Sequence, residues 1–396
     1  MYPSNFTTSR QRRGQSKPFA ELEAVFEALP DGELLEALEE TRWTGRPGYP
    51  IRVMWRTLVA SFFLGIVHDT DLIRALQSNP LLAEACGIDW PDGVPSKYAY
   101  CRFRKKLVGF SDLVASLLTE CVERLREALP DFGQTVAIDS TDLKAWANGL
   151  HQETDPDAGT GAKHKSSRRV YWYGYKAHVV VDANSELPIS FHISAANVYD
   201  GKHLPPALQG ARATFDWFDP AHVLADKGYD SRECFRFVGE DMKAIPVIDV
   251  QKGRAGRARE GRPCEAQPVI TPNGVRYRCE RLPYDPKCSR FGKCPLLPVF
   301  VDSPLNPLTA QTYYERYSPF PYRSPEWQAL YNKRVSVERV FGRLKGYRKL
   351  DALRTRGLAK VWLHVAMSIL AMNGAALAKV EMGELEEIRT CIRKVA

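Results

Sequence analysis

Two short apolar runs in this 396-residue chain each end on an aspartate: TVAID, closing at Asp139, and HVLAD, closing at Asp226. Short continuous apolar runs of this kind read as β-strands. A carboxylate at the end of such a strand is costly to bury unless something offsets its charge. A hard cation is a common answer, because carboxylate oxygens suit it. Each aspartate by itself also reads well as a helix N-cap or a turn residue. The two lie 87 positions apart, so they meet only if their strands are neighbours.

The surrounding chain divides by pattern. Residues 19–128 read as helical: Phe19 to Leu29, Glu33 to Leu38, and Ile51 to Ile66 with Pro50 in its first turn. A further helix runs from Leu107 to Leu129, with Leu113, Leu117, Leu118, Val122 and Leu125 at helical spacing. The pattern changes at Gly133. Trp172 to Asp182 and Leu187 to Ser194 form a hairpin around DANSE, Lys202 to Ala213 is a helix, and Ala244 to Ile248 is another strand. His151 to Arg169 is polar and reads as a mobile loop. Residues 250–325 are rich in Pro, Gly, Arg and Cys, and helices resume at 325–345 and 358–380. The expected organisation is an all-α N-terminal domain over 1–130 with DNA binding as its role, and an α/β core beginning over 131–250. A basic insertion covers 251–324, and C-terminal helices over 325–396 complete the core.

Charge is concentrated rather than spread. The chain carries +8, yet residues 251–300 alone hold +7 and residues 331–360 hold +8. The rest is mildly acidic. A concentrated basic sector points to a polyanion, most simply nucleic acid, although a solvated basic face has the same composition. Between 331 and 349, seven Lys and Arg residues surround one acid, Glu338. Read as a single helix, Tyr331, Arg334, Glu338 and Lys345 fall within about 60° of one another, and Val337, Val340, Phe341 and Leu344 take the core side. An ordinary amphipathic helix with an (i, i+4) Arg–Glu pair accounts for the periodicity. It does not account for a lone acid among so many cations. Three carboxylates able to hold two divalent ions, with cations beside them for the flanking phosphates, account for both.

Taken together, these blocks resemble the bacterial insertion-sequence DDE transposases, in the group whose third motif is Tyr-x2-Arg-x3-Glu-x6-Lys. Tyr331, Arg334, Glu338 and Lys345 fit that spacing. AIDSTDLKA carries Asp139 and LADKGYD carries Asp226, while YGYKAHVVVDA and AANVYDGKHL match the intervening strands and turn. TGRPGYPIRVMWRTLVASFFLGI and SKYAYCRFRKKL resemble the family's helical N-terminal domain, so the likeness runs over roughly residues 40–375.

The resemblance implies an α/β fold: a ribonuclease-H-like mixed sheet flanked by helices, with the helical N-terminal domain and the basic, Cys-containing insertion added. It implies cleavage of element ends and strand transfer into target DNA. Asp139, Asp226 and Glu338 would be the catalytic metal ligands for two Mg2+ ions, which Mn2+ could replace. Arg334 and Lys345 would contact phosphates, with Tyr331 beside them. Double-stranded DNA and a second copy of the chain on paired ends are the implied partners, and the bacterial cytoplasm the compartment. Hairpin, circle and simple-cut routes stay open. So do two other functions: a catalytically idle DNA-binding derivative, and a stand-alone ribonuclease-H-like nuclease.

Other residues carry weaker signals. Cys264, Cys279, Cys288 and Cys294 would suit a structural Zn2+, but their spacings lack a CxxC knuckle, so free thiols are the preferred reading. Nine scattered cysteines suit a reducing compartment. The N-terminus lacks an apolar signal region, and no uninterrupted apolar run approaches membrane length. Asp142 points to the wrong side of its strand, whereas Asp200 and Asp230 suit N-caps. His178 and His203 read as structural. Lys163, Lys165, Arg168 and Arg169 suit a DNA-facing loop. Arg102, Arg104, Lys105 and Lys106 suit a basic helix face, with Tyr98, Tyr100 and Phe103 interleaved.

Overall fold

The computed structural model describes residues 19–41, 48–147, 149–165, 168–249, 268–271, 274–277 and 325–389. The four cysteines of the insertion, and nearly all of residues 251–324, lie outside the described residues.

Among the described residues, seven helices come first: α1 (Ala20–Ala28), α2 (Gly32–Glu40), α3 (Ile51–Phe63), α4 (Asp69–Ser78), α5 (Pro80–Ala85), α6 (Lys97–Val108) and α7 (Ser111–Ala128). Then come β1 (Thr135–Lys144), β2 (Gly159–Lys165), β3 (Arg168–Asp182), β4 (Leu187–Ala195), α8 (Leu204–Thr214), β5 (His222–Ala225), α9 (Arg232–Arg236) and β6 (Ile245–Ile248). A small hairpin, β7 (Pro268–Thr271) and β8 (Gly274–Tyr277), precedes α10 (Pro325–Asn332), α11 (Val335–Tyr347) and α12 (Leu358–Glu381).

The chain divides into two units. One comprises residues 1–128, 343–355 and 359–396; the other comprises 129–342 and 356–358. The sequence pattern placed 325–396 whole with the core, whereas contacts group only 325–342 and 356–358 there.

In the helical unit, α3 and α12 are the buried elements. Eleven of the thirteen α3 residues are buried, and α12 is buried almost continuously from Val361 to Ala378. By length and composition α12 could cross a membrane, but 83% of its apolar window is buried within the protein. Polar residues survive on α3 by local bonding: the Thr57 hydroxyl donates to the Val53 carbonyl at 2.8 Å and Ser61 donates to Leu58 at 2.7 Å. The long helix expected from Leu107 is two helices, because the chain turns at Gly109 and Phe110 before α7 starts.

The other unit is built on a six-stranded mixed sheet. β1 lies between β3, antiparallel, and β5, parallel; β6 adds in parallel beyond β5, and β4 pairs antiparallel with the far side of β3. Val136, Ala137 and Ile138 of β1 and Val223, Leu224 and Ala225 of β5 are fully buried, as two-sided burial of parallel strands requires. β1 continues well past Asp139, because β3 supplies a partner as far as Lys144. Gly174 lies where the two backbones crowd: its φ is +157°, and a Cβ there would collide with the Leu143 carbonyl.

Residues 151–169, expected as a loop, contain β2, which pairs with the first half of β3. The ribbon is polar, so periodicity misses it. It is held by backbone pairing and by the Trp172 ring lying over Gly161, where no side chain fits. Lys163, expected to face DNA, pairs with Asp142 and lies 5.2 Å from the Trp172 ring centre. Arg169 packs over Tyr171, and the Lys165 side chain lies outside the described residues.

Candidate active site

Register places the first two acids. Ile138 of β1 pairs with Ala225 of β5 in parallel, so Asp139 and Asp226 follow side by side where the parallel pairing ends. Asp226 opens a tight turn. Its Oδ1 accepts the Gly228 N–H at 2.7 Å, and a Cβ on residue 228 would sit 2.8 Å from that oxygen, so glycine keeps the turn open. Asp139 Oδ1 accepts the N–H of Ser140 at 2.7 Å. Burial pushes the Asp139 carboxyl up to about 7, and the neighbouring Asp226 charge adds to it. Burial raises Asp226 as well, against the Gly228 bond and the Arg334 charge. Two half-buried carboxyls whose charges act on each other favour a cation beside them.

The third motif is not one helix. α10 stops at Asn332 and α11 starts at Val335, with i→i−3 bonds from Lys333 to Leu330 and from Arg334 to Tyr331 across the break. The single-helix face is therefore corrected, since Tyr331 and Glu338 lie on different helices. The alignment survives locally because residues three apart eclipse in a 3₁₀ turn. The Arg334 guanidinium carbon lies 5.5 Å from the Tyr331 ring centre. Its Nη2 donates to Glu338 Oε1 at 2.6 Å, and Nη1 lies 3.7 Å from Asp139 Oδ2. The core side is as expected: Val337, Val340, Phe341 and Leu344 are all buried. Lys345 pairs with Asp351 at 3.0 Å and is grouped with the helical unit.

One residue that the sequence had placed elsewhere stands near the acids. Asp200, expected as an N-cap, makes no capping bond; Tyr199 holds that position. Its Oδ1 accepts from Lys176 Nζ at 2.9 Å, and its charge helps raise both Asp139 and Asp226. The AANVYDGKHL block was the available signal. Asp230 is buried and Ser231 is the cap of α9, accepting from the Cys234 N–H. His203 stacks with His178 at 4.4 Å and with His192 at 5.1 Å, and burial holds all three below the usual imidazole range.

The donor chemistry of Asp139 and Asp226, hard oxygens that directly follow two adjacent paired strands, suits a divalent ion. Among the described residues no three His, Cys, Asp or Glu side chains converge closely enough to form a metal cluster, since Glu338 is turned to Arg334.

Residues 130–373 match the family model described as a transposase DDE domain. The chain belongs to that family. A second family model, described as a transposase domain, matches residues 8–106 of this transposase-family chain. The transposase for insertion sequence element IS1106 of Neisseria meningitidis serogroup B is 37% identical over 81 residues, 20% of this chain. The matched part spans about a quarter (26%) of that relative's length. Family membership agrees with the fold: a mixed sheet with helices, joined to a helical N-terminal region.

Proposed function

We propose that this chain is a DNA transposase that cuts phosphodiester bonds at the ends of an insertion element and joins the freed strand to target DNA. The observation that carries the reading is that Asp139 and Asp226 directly follow the Ile138–Ala225 pair, with the Arg334–Glu338 pair reaching Asp139. Asp139, Asp226 and Glu338 are the residues that would hold Mg2+. When bound, the metal supplies charge to activate the attacking oxygen and to stabilise the leaving one.

The protein's own groups do the rest. Arg334 neutralises Asp139 and Glu338 and offers its fork to a phosphate beside the cut. Tyr331 packs under that guanidinium and fixes its plane. Gly228 holds the Asp226 carboxylate through its N–H. Lys345, exchanging Asp351 for a phosphate, is the motif's other DNA-contacting cation. Two copies acting on paired ends complete this reading, in the bacterial cytoplasm.

The test uses the full chain and DNA carrying matched element ends. Mg2+-dependent cleavage and joined products are expected from the wild type. Asp139→Ala, Asp226→Ala and Glu338→Ala should each abolish cleavage while DNA binding persists. Substantial cleavage by any one of them removes that residue from the site, and cleavage without joined products marks a nuclease instead.

A further inference from the structure

The helical unit contains a pocket of about 460 Å3 that is separate from the acids. That size suits a small ligand. Its wall is one face of α6: Lys97, Cys101, Arg104 and Val108 recur every three or four residues, while Tyr100, Phe103 and Leu107 take the core side. The basic face expected on this helix is thereby divided. Arg104 is bound by both its terminal nitrogens to Asp69, the one acid lining the pocket, and Lys106 donates to the Leu38 carbonyl at 3.0 Å. Lys105 and Lys360 are exposed on the rim and form no ion pair among the described residues, and Lys97 is exposed beside them.

The floor is apolar, formed by Leu58, Phe62, Leu363 and Met367. Lys349 lines it too. Its Nζ lies 3.2 Å from Ser61 Oγ and 4.3 Å from the Phe62 ring centre, and burial lowers it to about 7. An amine that sheds its charge so readily offers a hydrogen bond without a full buried charge.

A ligand for this pocket must bring both a negative charge for the rim and a flat, largely apolar body for the floor. A duplex shows its phosphates but keeps its bases stacked inside, and a free phosphate leaves the floor uncovered. An unstacked nucleotide satisfies both halves. We propose that the pocket takes one unpaired nucleotide of a DNA strand, with the base on Phe62 and its neighbours and the phosphates on Lys97, Lys105 and Lys360. The inference rests on the reading of the chain as a DNA-acting protein.

Cys101, exposed in the pocket wall, is a built-in reporter. The full chain is alkylated in metal-free buffer with a single-stranded oligonucleotide, the same sequence as duplex, or a deoxynucleoside monophosphate, and modification of the Cys101 peptide is followed by mass. The single strand is expected to slow alkylation at least tenfold, and the duplex far less. Lys105→Glu with Lys360→Glu, both at exposed positions, should abolish the protection and lower the salt slope of single-strand binding by about 1.4. Equal protection by duplex, no protection by the single strand, or full protection by the monophosphate alone overturns the proposal. The assay needs no cleavage. Lost protection with intact nicking therefore condemns only the pocket, and intact protection with no nicking condemns only the transposase reading.

Discussion

Arg334 Nη1 lies 3.7 Å from Asp139 Oδ2, joining the turn before α11 to the middle of β1. The same guanidinium holds Glu338 at 2.6 Å. One cation is thus shared by two of the three acids that the sequence motifs single out, and Asp226 feels its charge.

That sharing requires a planar fork. Arg334→Ala should remove the cation that Asp139 and Glu338 share, lowering stability by about 1–3 kcal/mol and abolishing end cleavage. Arg334→Lys keeps the charge but cannot serve two carboxylates at once, so cleavage should stay at least ~10-fold below wild type. Thermal melts and a cleavage time course on the two variants check this; wild-type rates from the lysine variant would mean that charge alone matters.

Gly228 is where Asp226 is most tightly constrained. A methyl group there meets Asp226 Oδ1 at 2.8 Å. Gly228→Ala should move the carboxylate by a few tenths of an ångström and cut cleavage by about tenfold or more. The melting temperature should fall only slightly, by about 1 kcal/mol in stability. A matched fall in both would point to general unfolding.

Asp155 tests the packing of the sheet unit. It is buried, and its Oδ1 accepts the Tyr175 hydroxyl at 2.6 Å and the Gly357 N–H at 2.9 Å. Asp155→Ala orphans the buried Tyr175 hydroxyl and the half-buried Gly357 N–H and should cost about 2–4 kcal/mol in denaturant unfolding. Asp155→Asn keeps an acceptor and should recover more than half of that loss.

Lys349 gives a pH dependence. Burial lowers its folded-state value to about 7 from an ordinary 10.5, so the folded protein binds fewer protons than the unfolded chain between those values. Stability therefore rises with pH across that window, and the penalty is fully present below about pH 7. Lys349→Met should stabilise the protein at pH 6–7 by on the order of 1–3 kcal/mol, with the gain shrinking toward pH 10. Melting curves across pH 6–10 measure it; a gain independent of pH would mean that the amine stays charged when folded.

Much of the site was legible because its determinants are local. TVAID and HVLAD announce buried strands by composition, and both strands are there. Val337, Val340, Phe341 and Leu344 announce the buried face of α11 by spacing. β2 was not legible, because a polar ribbon held by backbone pairing and a glycine under Trp172 leaves no apolar period. The break at Lys333–Arg334 was hidden for a related reason: nothing in YNKRVSVERV lacks helix-forming capacity.

By itself, then, the sequence determined which residues are acids at strand ends, which helix faces are apolar and where the positive charge is concentrated. These follow from side-chain chemistry and from periods of two and 3.6. Only the tertiary structure decided who meets whom. It set Asp139 beside Asp226 through the β1–β5 register and brought Asp200, bound to Lys176, within reach of their charges. It turned Arg334 toward two acids and tied Arg104 to Asp69, leaving Lys105 and Lys360 on the pocket rim. Charges are set by residue type, but their partners are set by distance, and distance across 87 or 112 positions of chain exists only once the sheet has formed.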